Sequence, residues 1–261
     1  MKELINLYEI EFKKNYRVYI VGITIMTLVL IFNLVSNLND YNYVIENTLR
    51  SDNIATIIGS TIFENVLTSN IKDVFIIGIL SCVFYTVIIW SVDFIGANKS
   101  IYTLLMLPQN RMYIFISKVM NIMTFIYMYM ISYISTLYIA NLIIPKLMST
   151  EVIDNGFVQN TIYTVGSIFP YNLNEFFLIY VMLLLAAVSL LSVVCMSILL
   201  KDKKIKVIKI ILYAIISVSF YIGFIILSIT KKPTISISIY SVVVIMISII
   251  RAKYIFKKIN I

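Results

Sequence analysis

Long apolar runs alternate along the chain with shorter stretches that hold most of the charge. Six of the runs have the roughly 17–25 residues that a helix needs to cross hydrocarbon: 18–35, 74–92, 119–140, 176–200, 207–229 and 234–250. None shows the strict apolar–polar alternation of a barrel strand. Helices are the remaining way to satisfy every backbone group inside a bilayer. The pattern therefore predicts an all-α, polytopic membrane protein with six transmembrane helices in one domain spanning 1–261. The first run is too long for the core of a signal peptide, and no small-residue cleavage site follows it, so it is read as a retained span.

The polar stretches carry their own elements. In residues 1–17, Leu4, Ile5, Leu7, Tyr8, Phe12 and Tyr16 gather on one side of a helical wheel, interrupted by Glu11 and Asn15. Lys2, Glu3, Asn6, Glu9, Lys13 and Lys14 gather on the other. Such a segment predicts an amphipathic interfacial helix, flat at the inner leaflet before the chain turns into the first span. Tyr8, Glu9, Phe12 and Lys13 are its candidate contact residues. The alternative is a plain positive flank. Two outer loops are long, 36–73 and 141–175, and read equally as a lid or as solvated connectors. Within the first, 53–67 predicts a short amphipathic helix around Ile54, Ile57, Ile58, Ile62 and Val66. Pro170 and Tyr171 are expected to set the start of the fourth span.

Composition agrees with a lipid environment. Of 261 residues 61% are hydrophobic and 13% charged, with a mean hydropathy of +0.96, whereas a soluble domain carries about 25% charged residues. Sixteen of the 21 Lys and Arg residues fall on one side of the predicted spans. They are Lys2, Lys13, Lys14 and Arg17; Lys99, Arg111 and Lys118; Lys201, Lys203, Lys204, Lys206 and Lys209; Arg251, Lys253, Lys257 and Lys258. This bias predicts a plasma-membrane protein with both termini cytoplasmic. The net charge of +8 is assigned to membrane lipid at the span ends, and no nucleic-acid partner is expected. The absence of histidine removes His-based metal motifs and Ser–His or Cys–His nucleophiles. Cys82 and Cys195 lie inside apolar runs and read as small hydrophobes. No catalytic or metal-ligating set is expected, so the chain is read as a non-enzyme.

The segment between the second and third spans is the most distinctive. Asp93 ends the second span. Lys99 to Met106 is a short amphipathic stretch, Leu105-Met106-Leu107-Pro108 follows, and Arg111 and Lys118 lead into the third span. Asn98 or Ser100 can cap a short helix here and Pro108 can end it. Its apolar residues want a partner surface. With this pattern the chain resembles the type-2 ABC exporter permeases, in their short bacterial branch for peptide antibiotics and drugs. That resemblance implies separate ABC ATPase subunits, a second permease copy or a sister permease, and outward transport by alternating access. It also implies that 98–108 is a cytoplasmic coupling helix, with Lys99, Ser100, Ile101, Thr103, Leu104, Leu105, Pro108 and Arg111 as ATPase-coupling residues. The interfacial helix would be a second contact. The turn at 230–233 is too short for the external element of the sterol- and drug-exporting branch.

The chain has no Gly-x-x-x-x-Gly-Lys-Ser/Thr loop. It is expected to bind no cofactor itself, ATP and Mg being held by the partner. No charge falls in the middle of a predicted span, which disfavours an ion-driven transporter. Asn121, Thr124, Met128, Ser132 and Ser135 line one side of the third span, with Tyr129, Tyr133 and Thr136 beside them. They are a candidate cargo cavity; the alternative is a small-residue packing face. Ser189, Ser192 and Met196 in the fourth span have the same two readings. The expected function is an exporter permease for an antimicrobial peptide, toxin or drug, conferring resistance. The rivals are an ATP-independent membrane immunity or binding protein and, on the polar face of span three alone, an intramembrane enzyme.

Overall fold

A computed structural model describes residues 2–48, 54–95, 110–147, 173–199 and 233–258, with side chains described for 2–36, 73–94, 110–140, 143, 181–198 and 235–257. Every element among them is a helix: α1 (Lys2–Thr48), α2 (Ile54–Ile95), α3 (Met112–Leu147), α4 (Leu173–Leu199) and α5 (Pro233–Lys258). Five stretches are long and apolar enough to cross a membrane: Lys2–Ser36, Asp73–Phe94, Met112–Ala140, Val181–Ile198 and Ile235–Lys257. The chain is a multi-pass helical membrane protein. The predicted span at 207–229 and the predicted coupling helix at 98–108 lie outside the described residues.

Local chemistry explains the starts of α3 and α5. Asn110 caps α3: its Oδ1 accepts the Met112 N–H at 3.0 Å, and its carbonyl accepts the Tyr113 N–H at 2.8 Å. Pro233 opens α5, where a missing N–H costs nothing.

Two expectations are corrected. No break separates residues 1–17 from the first predicted span, because α1 is one helix of 47 residues; backbone pairing continues where a turn was expected. The predicted loop 36–73 is largely helical as well, since α1 runs to Thr48 and α2 begins at Ile54. The predicted helix at 53–67 is thus the opening of α2.

The chain forms two compact units. The first comprises Met1–Tyr16, Ser81–Ile126 and Asn174–Ile261, and the second Arg17–Leu80 and Tyr127–Leu173. In the first, α4 and α5 pack through Ala186, Ala187 and Val244, with Leu183, Leu190, Tyr240 and Ile245 around them. Small side chains let two helix backbones approach, which is how helices associate where lipid removes the hydrophobic drive between them. In the second unit, Ile20, Val21, Ile25, Leu28 and Phe32 of α1 are exposed, the expected state of a surface facing lipid tails.

Within the second unit, Phe75, Tyr129 and Tyr133 form a buried aromatic group, with the Phe75 and Tyr133 ring centroids 4.9 Å apart. Tyr129 donates its hydroxyl to the Val74 carbonyl at 3.2 Å. A Cβ placed on Gly78 would overlap the Tyr129 hydroxyl oxygen. Glycine at 78 is what lets the ring lie on α2.

Candidate functional site

The chemistry of the first unit centres on a cluster of four charges, three of them buried and the fourth, Lys14, reaching the surface. Lys118, the seventh residue of α3, is fully buried. It donates to Glu11 Oε1 of α1 at 2.7 Å and to Asp93 Oδ2 of α2. Lys14, whose side chain is 40% exposed, donates to the other Asp93 oxygen. Glu11 is 4% exposed and Asp93 is 1% exposed. Two ammonium groups and two carboxylates thus neutralise one another across three helices. Charges removed from water persist only with such pairing.

Aromatic and polar side chains enclose the cluster. The Lys118 ammonium stands 5.5 Å from the Trp90 ring centroid, within cation–π range. Trp90 stacks with Phe94 and tilts against Phe115. Asn15 bonds back to the Glu11 carbonyl at 2.9 Å and receives the Tyr85 hydroxyl at 3.4 Å.

Sequence reasoning placed these groups differently. Glu11 and Asn15 look like interruptions of an apolar stripe, yet with Leu7 they form the buried face of the first part of α1. Ile5 and Ile10 are more than half exposed, so the most hydrophobic positions do not mark the packing face. Lys118, assigned from the sequence to lipid at a span end, is instead enclosed between carboxylates; a buried ammonium needs an anion at hydrogen-bond range, and two are supplied. The missed signal is the fourfold spacing of Leu7, Glu11 and Asn15, which defines one helix face whatever the polarity of its members.

The predicted interfacial residues divide. Tyr8 is half-buried, shares a 2.9 Å hydrogen bond with Thr124 and stacks with Phe12 at 6.0 Å. Glu9 and Lys13 pair at 2.7 Å on the exposed side. Of the predicted coupling residues, Lys99, Ser100, Ile101, Thr103, Leu104, Leu105 and Pro108 lie outside the described residues. Arg111 is described, and it donates to the Phe256 carbonyl of α5 at 3.3 Å.

The predicted cargo residues also divide. Asn121 is fully buried in the first unit with both amide atoms unpartnered, and Thr124 bonds the Met120 carbonyl at 2.9 Å as well as Tyr8. In the second unit Met128 and Ser135 are exposed, and the Ser135 and Thr136 hydroxyls both donate to the Ser132 carbonyl at 2.8 Å. In the fourth span Ser189 donates to the Ala186 carbonyl at 3.0 Å, and Met196 is fully buried. Most of these hydroxyls are occupied within their own helix, a packing role. Among the described residues, no group of three or more Cys, Asp or Glu is placed to hold a metal ion.

No family model, no curated protein and no solved structure matches this chain. The residues themselves are what a functional reading has to stand on.

Proposed function

We propose that the chain is the membrane-spanning permease subunit of an ATP-driven ABC exporter. It would move an antimicrobial peptide, toxin or drug outward through the plasma membrane, with both termini cytoplasmic. ATP and Mg would belong to partner ATPase chains, and a second copy or a sister permease would complete the pathway. The single observation that carries the reading is the position of the ion cluster. Asp93 lies two residues before the end of α2 and Lys118 is the seventh residue of α3. The pair therefore braces both flanks of the 96–111 segment, and Glu11 and Lys14 tie that brace to the lead-in part of α1. A segment receiving force from an ATPase needs such rigid supports, since a pliant connection would dissipate the displacement.

Copurification in mild detergent tests the partner directly, and an ABC ATPase subunit should be recovered with the intact chain. Leu104→Asp with Leu105→Asp should abolish export while the chain still inserts, because two new charges would face an apolar docking groove. Unchanged export would remove the coupling role. Protection that persists after every neighbouring ATPase gene is deleted would identify the ATP-independent immunity protein instead.

A further inference from the structure

On the three helices that carry Glu11, Asp93 and Lys118, buried polar atoms remain without hydrogen-bond partners. Glu11 gives Oε1 to Lys118, while its Oε2 accepts nothing. Trp90, which faces that ammonium with its ring, has an unpartnered indole N–H. Asn121 lies one helical turn beyond Lys118 on α3, and neither its amide nitrogen nor its oxygen is bonded. Thr86 lies one turn before Trp90 on α2, and its hydroxyl is also unpartnered. All four residues belong to the first unit, and each is at most 4% exposed. Native interiors rarely leave several buried polar groups together unsatisfied.

The unmet valences define the guest. Glu11 Oε2 needs a donor, the Trp90 N–H needs an acceptor, and Asn121 needs both. Glu11, Lys14, Asp93 and Lys118 already balance in charge, so an added ion would bring uncompensated charge into a low-dielectric site. The guest must be neutral and must both donate and accept. We propose that ordered water occupies a buried polar site bounded by Glu11, Trp90, Lys118 and Asn121. Water with three or so partners is a regular component of protein interiors. At this position it has a mechanical consequence. A resident water supplies partners to the unmet groups of Glu11, Trp90 and Asn121 while leaving the Lys118 ion pairs in place, so the brace stays rigid. The inference is independent of the exporter reading.

Trp90 is the single tryptophan of the chain, and its fluorescence therefore reports this site alone. The experiment uses the full chain in nanodiscs, with emission and lifetime recorded in H2O and D2O. The expected result is a red-shifted emission with a longer lifetime in D2O, present already after brief exchange, and with little quenching by acrylamide. Asn121→Leu should shift the emission to the blue and shrink the isotope effect. Blue emission with equal lifetimes in the two solvents would overturn the proposal. So would an isotope effect that appears only after overnight exchange, which reports rare opening, or strong acrylamide quenching, which reports bulk solvent. An isotope effect undiminished in a folded Asn121→Leu protein would place the water elsewhere and equally refute this site.

Discussion

Among the described residues, helices α2 and α3 meet around buried charge in the first unit and around aromatic rings without charge in the second. In the first unit Asp93 and Lys118 join them by charge, with Glu11 and Lys14 of α1 completing the neutralisation. In the second unit Phe75, Tyr129 and Tyr133 join them by ring contact over Gly78. A charged contact is all-or-nothing: its partners are costly to strand and exacting in position. A ring contact is graded, because each lost atom costs only its own packing. The charged contact lies near the connection between the two helices and the aromatic one farther along them in sequence. The more exacting contact is thus the one beside the segment proposed to receive force.

Removing Lys118 should give the largest effect. Lys118→Met fills similar volume but leaves the Glu11 and Asp93 carboxylates buried against Lys14 alone. Breaking a buried pair from one side costs about 3–5 kcal/mol, so the variant should melt far below the parent in a detergent thermal scan. Adding Glu11→Gln removes one negative charge in step and leaves the Lys14–Asp93 pair whole. The double variant should therefore recover a substantial part of the loss, a non-additivity characteristic of groups that act as a unit. Simple addition of the two losses would mean that the charges do not form one cluster.

Gly78→Ala should come next. The new methyl would overlap the end of the Tyr129 ring, and the ring is 2% exposed. It must swing from α2, losing its stack and its bond to Val74; overpacking of this kind costs about 1–3 kcal/mol. Tyr129→Phe is gentler. It deletes the 3.2 Å bond to the Val74 carbonyl and keeps the ring, so the loss should be about 1 kcal/mol. A Tyr129→Phe variant melting lower than Gly78→Ala would mean that the hydroxyl, not the ring, holds this contact.

The two regions differ in how far the sequence discloses them. The helices were legible because hydrocarbon demands unbroken apolar runs, and the runs at 74–92, 119–140, 176–200 and 234–250 fall on α2 to α5, two of which run well beyond them. The aromatic contact was half legible: Tyr129 and Tyr133 fall four apart on one face of α3, but nothing local points to Phe75 or Gly78. The charge cluster was not legible. Lys118 pairs with residues 107 and 25 positions away, and a lysine at a span end reads the same whether it meets a headgroup or a carboxylate. Helix continuity was missed for a related reason. Polar residues at 37–48 suggest a loop, and the helix predicted at 53–67 stops short of the second span, yet outside hydrocarbon polar side chains are compatible with a helix that simply continues.

The smallest effect is expected two residues from the cluster, on the outer face of the same helix. Glu9 and Lys13 form an ion pair with the same 2.7 Å separation as Glu11 and Lys118, yet their side chains are 57% and 72% exposed against 5% and 0%. Water already solvates both Glu9 and Lys13, so breaking the pair strands nothing, and salt screens what attraction remains. Glu9→Gln should leave the melting temperature unchanged, whereas Glu11→Gln, the same substitution half a turn along α1, should lower it clearly. Equal responses at the two positions would show that burial does not distinguish these pairs. The rigid support proposed for the 96–111 segment would then lose its physical basis.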